Sequence, residues 1–207
     1  MIILGLTGSI GMGKTATAAM FREAGVPVYD ADAAVHALYE KGGAAVDPIG
    51  EVFPGAIQDG AVDRDKLRSL VLDDAEAMAA LETLVHPLVG MAQKSFRDEA
   101  DNKGATLIVL DVPLLYETGG DALCDYVAVV TASEALQRTR VLMRPGMDEV
   151  ALDAILAKQV PDVEKRARAD FIISTGHGFD FARDQVQAII ALMIRHSETE
   201  EEETPNA

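Results

Sequence analysis

The 207-residue chain predicts an α/β fold: a three-layer core around a five-stranded parallel sheet, interrupted by two helical insertions. Three observations lead there. Five short apolar runs read as buried strands: Ile2 to Thr7, Val26 to Tyr29, Thr106 to Asp111, Tyr126 to Val130 and Phe171 to Ile173. Near-continuous apolar runs of this length suit strands covered on both faces. Helical patterns separate them, which implies βαβ units. A glycine-rich turn follows the first run at once and opens into the helical pattern Thr15 to Ala24.

The strands are unevenly spaced. The first two follow closely, whereas the stretch from Asp30 to Thr106 carries no convincing central strand and is rich in helix formers, with amphipathic patterns at Ala31 to Lys41, Arg64 to Leu72 and Asp74 to Ala100. Residues 32–101 are therefore expected as a helical, substrate-holding domain set into a core of residues 1–31, 102–137 and 167–196. A second insertion, 138–166, has Arg138, Arg140, Arg144, Lys158 and Lys165, with Arg166 and Arg168 at its end, in an otherwise acidic chain; a basic, mobile lid is expected. The last helix, about Asp180 to His196, closes the core. Residues 197–207 form an acidic tail with Glu198 and Glu200 to Glu203, whose composition predicts disorder.

Composition narrows the function classes. Hydrophobic residues at 49% and charged residues at 25% are the balance of a globular protein able to build its own core. A formal net charge of −16, from 34 acidic and 18 basic residues, argues against a general nucleic-acid binder, which needs a basic face. Cys124 is the single cysteine, so no internal disulfide forms and a reducing compartment fits; it is expected as a packing residue. No apolar run is long enough for a membrane span and the start lacks the basic residues of a signal peptide, so a cytoplasmic protein is the simplest reading. No nucleic-acid or membrane partner is expected, and a monomer is the expected state.

The chemistry starts at Gly8-Ser9-Ile10-Gly11-Met12-Gly13-Lys14-Thr15, which matches G-x-x-x-x-G-K-[ST] in its strand–loop–helix context. Glycines at 8, 11 and 13 let the backbone aim N–H groups at phosphate oxygens, and the helix N-terminus adds its partial positive charge. Lys14 reaches the β and γ phosphates, and the Thr15 hydroxyl is a ligand for Mg²⁺. The strand Leu107 to Asp111 ends in an acid that either holds Mg²⁺ through a water or caps the turn before Pro113; both readings stand on sequence alone.

A phosphate loop specifies a nucleotide and not a reaction. A GTP switch is disfavoured, because Asn102-Lys103-Gly104-Ala105 lacks the final acid of the guanine-reading motif. A small-molecule kinase needs a carboxylate to accept the hydroxyl proton, an acceptor pocket and a basic lid. Strand two delivers Asp30-Ala31-Asp32 to the carboxyl edge of the sheet, where ligands bind in open α/β folds. One acid can cap the following helix and leave the other for chemistry; taken alone, each reads equally as a cap or a surface acid.

Together these residues resemble the dephospho-CoA kinases. The strings that carry the likeness are Thr7 to Thr15, Asp30-Ala31-Asp32, Val62-Asp63-Arg64, His86-Pro87, Asp111 to Glu117, Gln137 to Arg144, Gln159 and Ala169 to Ile173. Their order and spacing, from Ile2 to about Gly178, make it specific. The resemblance implies a P-loop NTPase core, a CoA-holding helical domain and a lid. It also implies the reaction of ATP with dephospho-CoA to give ADP and CoA. It makes Asp32 the general base toward the ribose 3′-hydroxyl, with Lys14 and Arg140 as its catalytic companions. ATP contacts are implied at Gly8, Gly11, Met12, Gly13, Lys14, Thr15, Ala16, Thr17, Arg140 and Arg144, acceptor contacts at Thr7, Asp32, His86 and Leu114, and Mg²⁺ ligation at Thr15 and Asp111. Without the family, Arg138 reads as part of a solvated helix face and His86-Pro87 as a helix break. Where the family usually has Asn, this chain has Ser174, so adenine contacts there are weaker or carried by backbone. Two readings stay beside this one: a kinase for another small alcohol or nucleoside, and a nucleotide-binding regulatory or scaffold protein without an acceptor.

Overall fold

In a computed structural model the chain divides into two compact units, Asp30–Glu99 and the remainder, and the structure describes residues 1–203. The first unit is built on β1 (Ile2–Thr7), α1 (Lys14–Glu23) and β2 (Val28–Asp30), whose last residue already belongs to the second unit. The second unit holds α2 (Ala31–Tyr39), α3 (Val46–Val52), β3 (Ile57–Gln58), β4 (Ala61–Val62), α4 (Arg64–Val71) and most of α5 (Ala75–Asn102). The chain then returns through β5 (Leu107–Asp111), β6 (Tyr126–Thr131), α6 (Glu134–Leu142), α7 (Glu149–Leu156), α8 (Asp162–Arg168), β7 (Phe171–Ser174) and α9 (Phe179–Glu203).

The sheet has the order β2-β5-β1-β6-β7. It is parallel, as expected, and β1 runs down its centre with Leu4 opposite both Val109 and Tyr126. Alternation along the strands builds two layers. Leu4, Leu6, Val109, Ala128 and Val130 pack with Phe21 of α1 and with Val186 and Met193 of α9. On β6 the alternate residues Val127 and Val129 pack with Leu115 and Tyr116 instead. Cys124 lies against that second cluster, in the packing role expected of it.

Unit two has its own core, centred on Val46, Ile49, Phe53, Leu67, Val71 and Val85. Two of its elements have no counterpart in the sequence-based expectation, α3 and the β3–β4 hairpin. The hairpin turns at Asp59 (φ 53°) and Gly60 (φ 81°), the Asp-Gly pair that suits a two-residue turn with both φ positive. Its strands are two residues each, too short to register as an alternating pattern. The helices are capped by the acids that precede them: Asp63 accepts from the N–H groups of Asp65 and Lys66 at 3.1 Å, and Asp74 from those of Glu76 and Ala77 at 3.0 Å.

Two expectations are corrected. His86-Pro87 does not break a helix, for Pro87 lies inside α5. Thr83, His86 and Pro87 are exposed, so water can satisfy the carbonyl that the proline ring leaves without an amide partner. The acidic tail does not lose order at residue 197, because α9 continues to Glu203. Extending a helix costs far less than starting one, and the Ser197 and Thr199 hydroxyls donate back to the carbonyls of Ile194 and His196 at 2.7 and 2.8 Å. Residues 204–207 of the expected tail lie outside the described residues.

Phe21 is fully buried at the centre of the first core. Phe21→Ala should lower the unfolding free energy by about 3–5 kcal/mol in a urea titration; a loss below about 1 kcal/mol would mean that the sheet does not depend on α1 for its cover.

Candidate active site

The loop between β1 and α1 has no room for side chains at its two ends. A Cβ on Gly8 would stand 2.6 Å from the carbonyl oxygen of Val130 on β6, a backbone atom that cannot move aside. Gly13, the residue before α1, has φ 98° and faces the Thr175 side chain at 3.1 Å, so both its conformation and its surroundings require glycine. Between them Met12 turns its side chain inward, its Sδ accepting from the Ala132 N–H at 3.1 Å, which leaves this position only backbone to offer a ligand.

Lys14 and Asp111 meet across the loop. The Nζ–Oδ1 distance is 2.6 Å, with the side chains 16% and 4% exposed. The acid at the end of β5 thus pairs with Lys14 beside the phosphate loop. Thr15 is exposed one residue on. Thr17 is buried and its hydroxyl donates to the Gly13 carbonyl at 3.2 Å. Thr7 is buried too, with its hydroxyl donating to the Pro113 carbonyl at 3.1 Å, so that proton is committed inside the protein and not offered to a ligand.

Arg140 lies over the same loop. Its guanidinium donates to the Thr175 hydroxyl and carbonyl, both at 2.8 Å, and to the Gly11 carbonyl at 3.4 Å, and the Thr175 hydroxyl donates onward to the Met12 carbonyl at 2.7 Å. None of these acceptors carries a formal charge, so Arg140 is oriented without being neutralised. Arg144 and Lys158 likewise have no acidic partner among the described residues. The other cations of the basic segment are spent on structure. Arg138 pairs with Glu149 and Asp153 on α7, which replaces the solvated face expected for it. Arg166 pairs with Asp162 at 2.7 Å, and Arg168 pairs with Asp121 at 2.9 Å while stacking on the Tyr116 ring.

A pocket of about 360 Å³ opens beside Gly13, lined by Ala16, Thr17 and Met20 of α1, Leu136 and Arg140 of α6, and Thr175, Gly176 and Phe179 after β7. A largely apolar slot with a few polar groups, next to a phosphate cradle, suits a flat heteroaromatic base. Ser174 is not in its lining; its backbone is held by the Gln185 amide, through N–H and C=O contacts of 3.0 Å each. Thr175, Gly176, Leu136 and Phe179 were not singled out from sequence. The Thr-Gly pair directly after a strand was the available signal.

Leu114 is 41% exposed in the turn after β5. In the second unit, Asp30 caps α2 by accepting from the Ala33 N–H at 2.9 Å, and Asp32 is exposed in the first turn of that helix. His86 is exposed on α5.

Behind the loop lies a second ion pair. Lys165, with no exposed side-chain surface, sits 2.8 Å from Glu117 Oε1, which also accepts from the Val160 N–H at 2.8 Å. Burial pushes the Glu117 carboxyl up, but the Lys165 and Val160 hydrogen bonds outweigh it and hold the group below its usual range. A depressed acid stabilises the fold above its unfolded-state value, and that contribution is lost as pH falls through the folded value. Lys165→Met should therefore cost about 3–5 kcal/mol at neutral pH by stranding the buried carboxylate. The cost should shrink as pH falls into the acid range and the stranded Glu117 carboxylate protonates, as read by urea melts at several pH values; a pH-independent cost would remove the charge argument.

Comparison with known proteins bears on this arrangement directly. The model of the family described as "Dephospho-CoA kinase" matches residues 2–180. The dephospho-CoA kinase of Bradyrhizobium diazoefficiens is 53% identical over 195 residues, 94% of this chain and 97% of that protein. Among solved structures, TT1252 from Thermus thermophilus is 33% identical with a TM-score of 0.79, covering 92% of this chain and 96% of that one. A dephospho-CoA kinase from Campylobacter jejuni, at 21% identity, shares the fold with a TM-score of 0.65 over 92% and 96% of the two chains. A phosphate loop and a base-sized pocket within a match of this extent leave one conclusion: the chain belongs to the dephospho-CoA kinase family.

Proposed function

We propose that this chain transfers the γ-phosphate of ATP to the ribose 3′-hydroxyl of dephospho-CoA, giving CoA and ADP, the last step of CoA synthesis. The observation that carries the reading is the phosphate loop opening beside an apolar pocket of about 360 Å³, which supports adenine in the pocket and the polyphosphate over Gly11 to Thr15. The acceptor belongs to the family the chain falls in.

The residues divide the work as follows. Loop N–H groups and Lys14 hold the β and γ phosphates. Arg140, oriented on Thr175 but not neutralised, supplies charge to the transferring phosphoryl group, and Arg144 joins it from the same segment; planar guanidinium groups suit both tasks. Asp32 takes the proton of the 3′-hydroxyl as its oxygen attacks phosphorus and the bond to the ADP oxygen breaks. Leu114 and His86 shape the acceptor site. Thr15 and Asp111 would hold Mg²⁺, which would supply positive charge to the phosphate oxygens. Their fit rests on the exposed Thr15 hydroxyl and on Asp111, whose buried carboxylate needs a cation whenever Lys14 turns to phosphate. A cytoplasmic, monomeric enzyme completes the reading, and the single cysteine fits the reducing compartment.

ADP release measured with dephospho-CoA, adenosine, AMP or buffer as parallel acceptors tests the assignment. Stimulation by dephospho-CoA alone, with CoA identified by mass, is expected; stimulation by another acceptor would keep the kinase and discard the substrate. Asp32→Asn should leave ATP binding intact and lower kcat by about 10²-fold or more, and an unchanged kcat would remove Asp32 from the proton's path. Lys14→Ala should abolish transfer.

A further inference from the structure

One residue of the phosphate loop is gripped through both of the peptide groups that flank it. The Ile10 N–H donates to Gln159 Oε1 at 3.1 Å, and the Ile10 carbonyl accepts from Gln137 Nε2 at 2.7 Å. Each partner fixes the polarity of its amide, since a backbone N–H can only donate and a carbonyl can only accept. Gln137 is 4% exposed on α6, and Gln159 stands in the turn that leads to α8. These two residues bracket the stretch 138–158, which carries Arg140, Arg144 and Lys158, the cations without acidic partners.

We infer that Gln137 and Gln159 are positioning residues that lock both feet of the basic segment onto the backbone of Ile10, so that the phosphate loop and its arginines are set in one frame. The grip is itself braced. Glu117 accepts from the N–H of Val160, the residue after Gln159, and is held by the fully buried Lys165. Lys165 also donates to the Pro113 carbonyl at 3.5 Å, the same oxygen that takes the Thr7 hydroxyl. The foot at Gln159 is thus tied through Glu117 and Lys165 to the strand ends that carry Thr7 and Asp111. With its N–H turned to Gln159, Ile10 gives that donor to the frame and not to phosphate, and any displacement of either foot displaces the loop with it.

Donor and acceptor polarity makes the inference testable, with turnover as a readout that rests on the kinase reading and ATP affinity as one that does not. Gln→Glu keeps an acceptor but loses the donor. At position 159 the needed group survives; at position 137 a carboxylate is set against the Ile10 carbonyl. Both changes add the same charge beside the same loop, so electrostatic repulsion of ATP enters both. Gln159→Glu should keep kcat/KM for ATP within about threefold of the parent, whereas Gln137→Glu should lose about 10- to 100-fold, the scale of a misplaced reacting group. ATP affinity by titration should fall in the same order. Gln159→Met, which removes the acceptor at similar volume, should fall with Gln137→Glu, and a cavity of about 510 Å³ beside both glutamines leaves room for each substitution. If Gln137→Glu does not fold, the two Gln159 variants decide, because only their difference isolates the Ile10 N–H bond. Equal behaviour of Gln159→Glu and Gln159→Met, or of the two Glu variants, would overturn the inference. An inactive parent that still binds ATP would instead sink the kinase reading, and the ATP affinities would then judge the clamp alone.

Discussion

The ion pair between Lys14 and Asp111 is the constraint around which the nucleotide-binding unit is arranged. It joins the first residue of α1 to the last residue of β5, strands β5 and β1 being neighbours in the sheet. The chain from Thr7 to Lys14 must therefore turn through a small space, and glycine stands where β6 and Thr175 press on it. The pair also places a cation at the loop: a phosphate entering there would compete with the buried Asp111 for Lys14, whose side chain is 16% exposed. Structure and chemistry at this point are one requirement, since the loop that has no space for side chains presents its backbone instead.

Charge in the basic segment is sorted by use. The chain is strongly acidic, yet Arg138, Lys165, Arg166 and Arg168 are consumed by Glu149, Asp153, Glu117, Asp162 and Asp121. What remains is Arg140, Arg144 and Lys158. Net charge therefore says little about phosphate affinity, which depends on the few cations that the fold leaves uncompensated and desolvated enough to matter. Arg140 is the clearest case, because neutral acceptors orient its guanidinium without cancelling it. The sequence shows seven basic residues in a cluster; only the fold distinguishes those that brace helices from those that can meet a ligand.

The parallel sheet was legible because each strand is an apolar run with a turn behind it, and the phosphate loop because its glycines and Lys14-Thr15 must follow a strand. The β3–β4 hairpin escaped because two-residue strands leave no period to detect, although Asp59-Gly60 marks its turn. Pro87 misled because on an exposed helix face water can take the carbonyl that the proline leaves without an amide partner. The tail misled because composition reports burial, whereas a helix already nucleated by Phe179 to Met193 needs none to go on for a few turns. Asp30 and Asp32 could not be told apart by spacing, and capping geometry separates them.

The contacts that shape the loop were beyond any such reading for a different reason. Ile10 with Gln137, Ile10 with Gln159, and Met12 with Thr175 are separated by 127, 149 and 163 residues. Periodicity and capping constrain neighbours along the chain, and nothing local marks a glutamine whose partner lies across the unit. The pairing of β1, β6 and β7 in register brings the end of β7, and with it Thr175, to Met12, while α6 and the turn at Gln159 close on Ile10. The loop's shape is thus a product of the whole unit, held by groups from three distant segments. A motif of eight residues specifies what the loop can bind, while its working geometry is held from outside the motif.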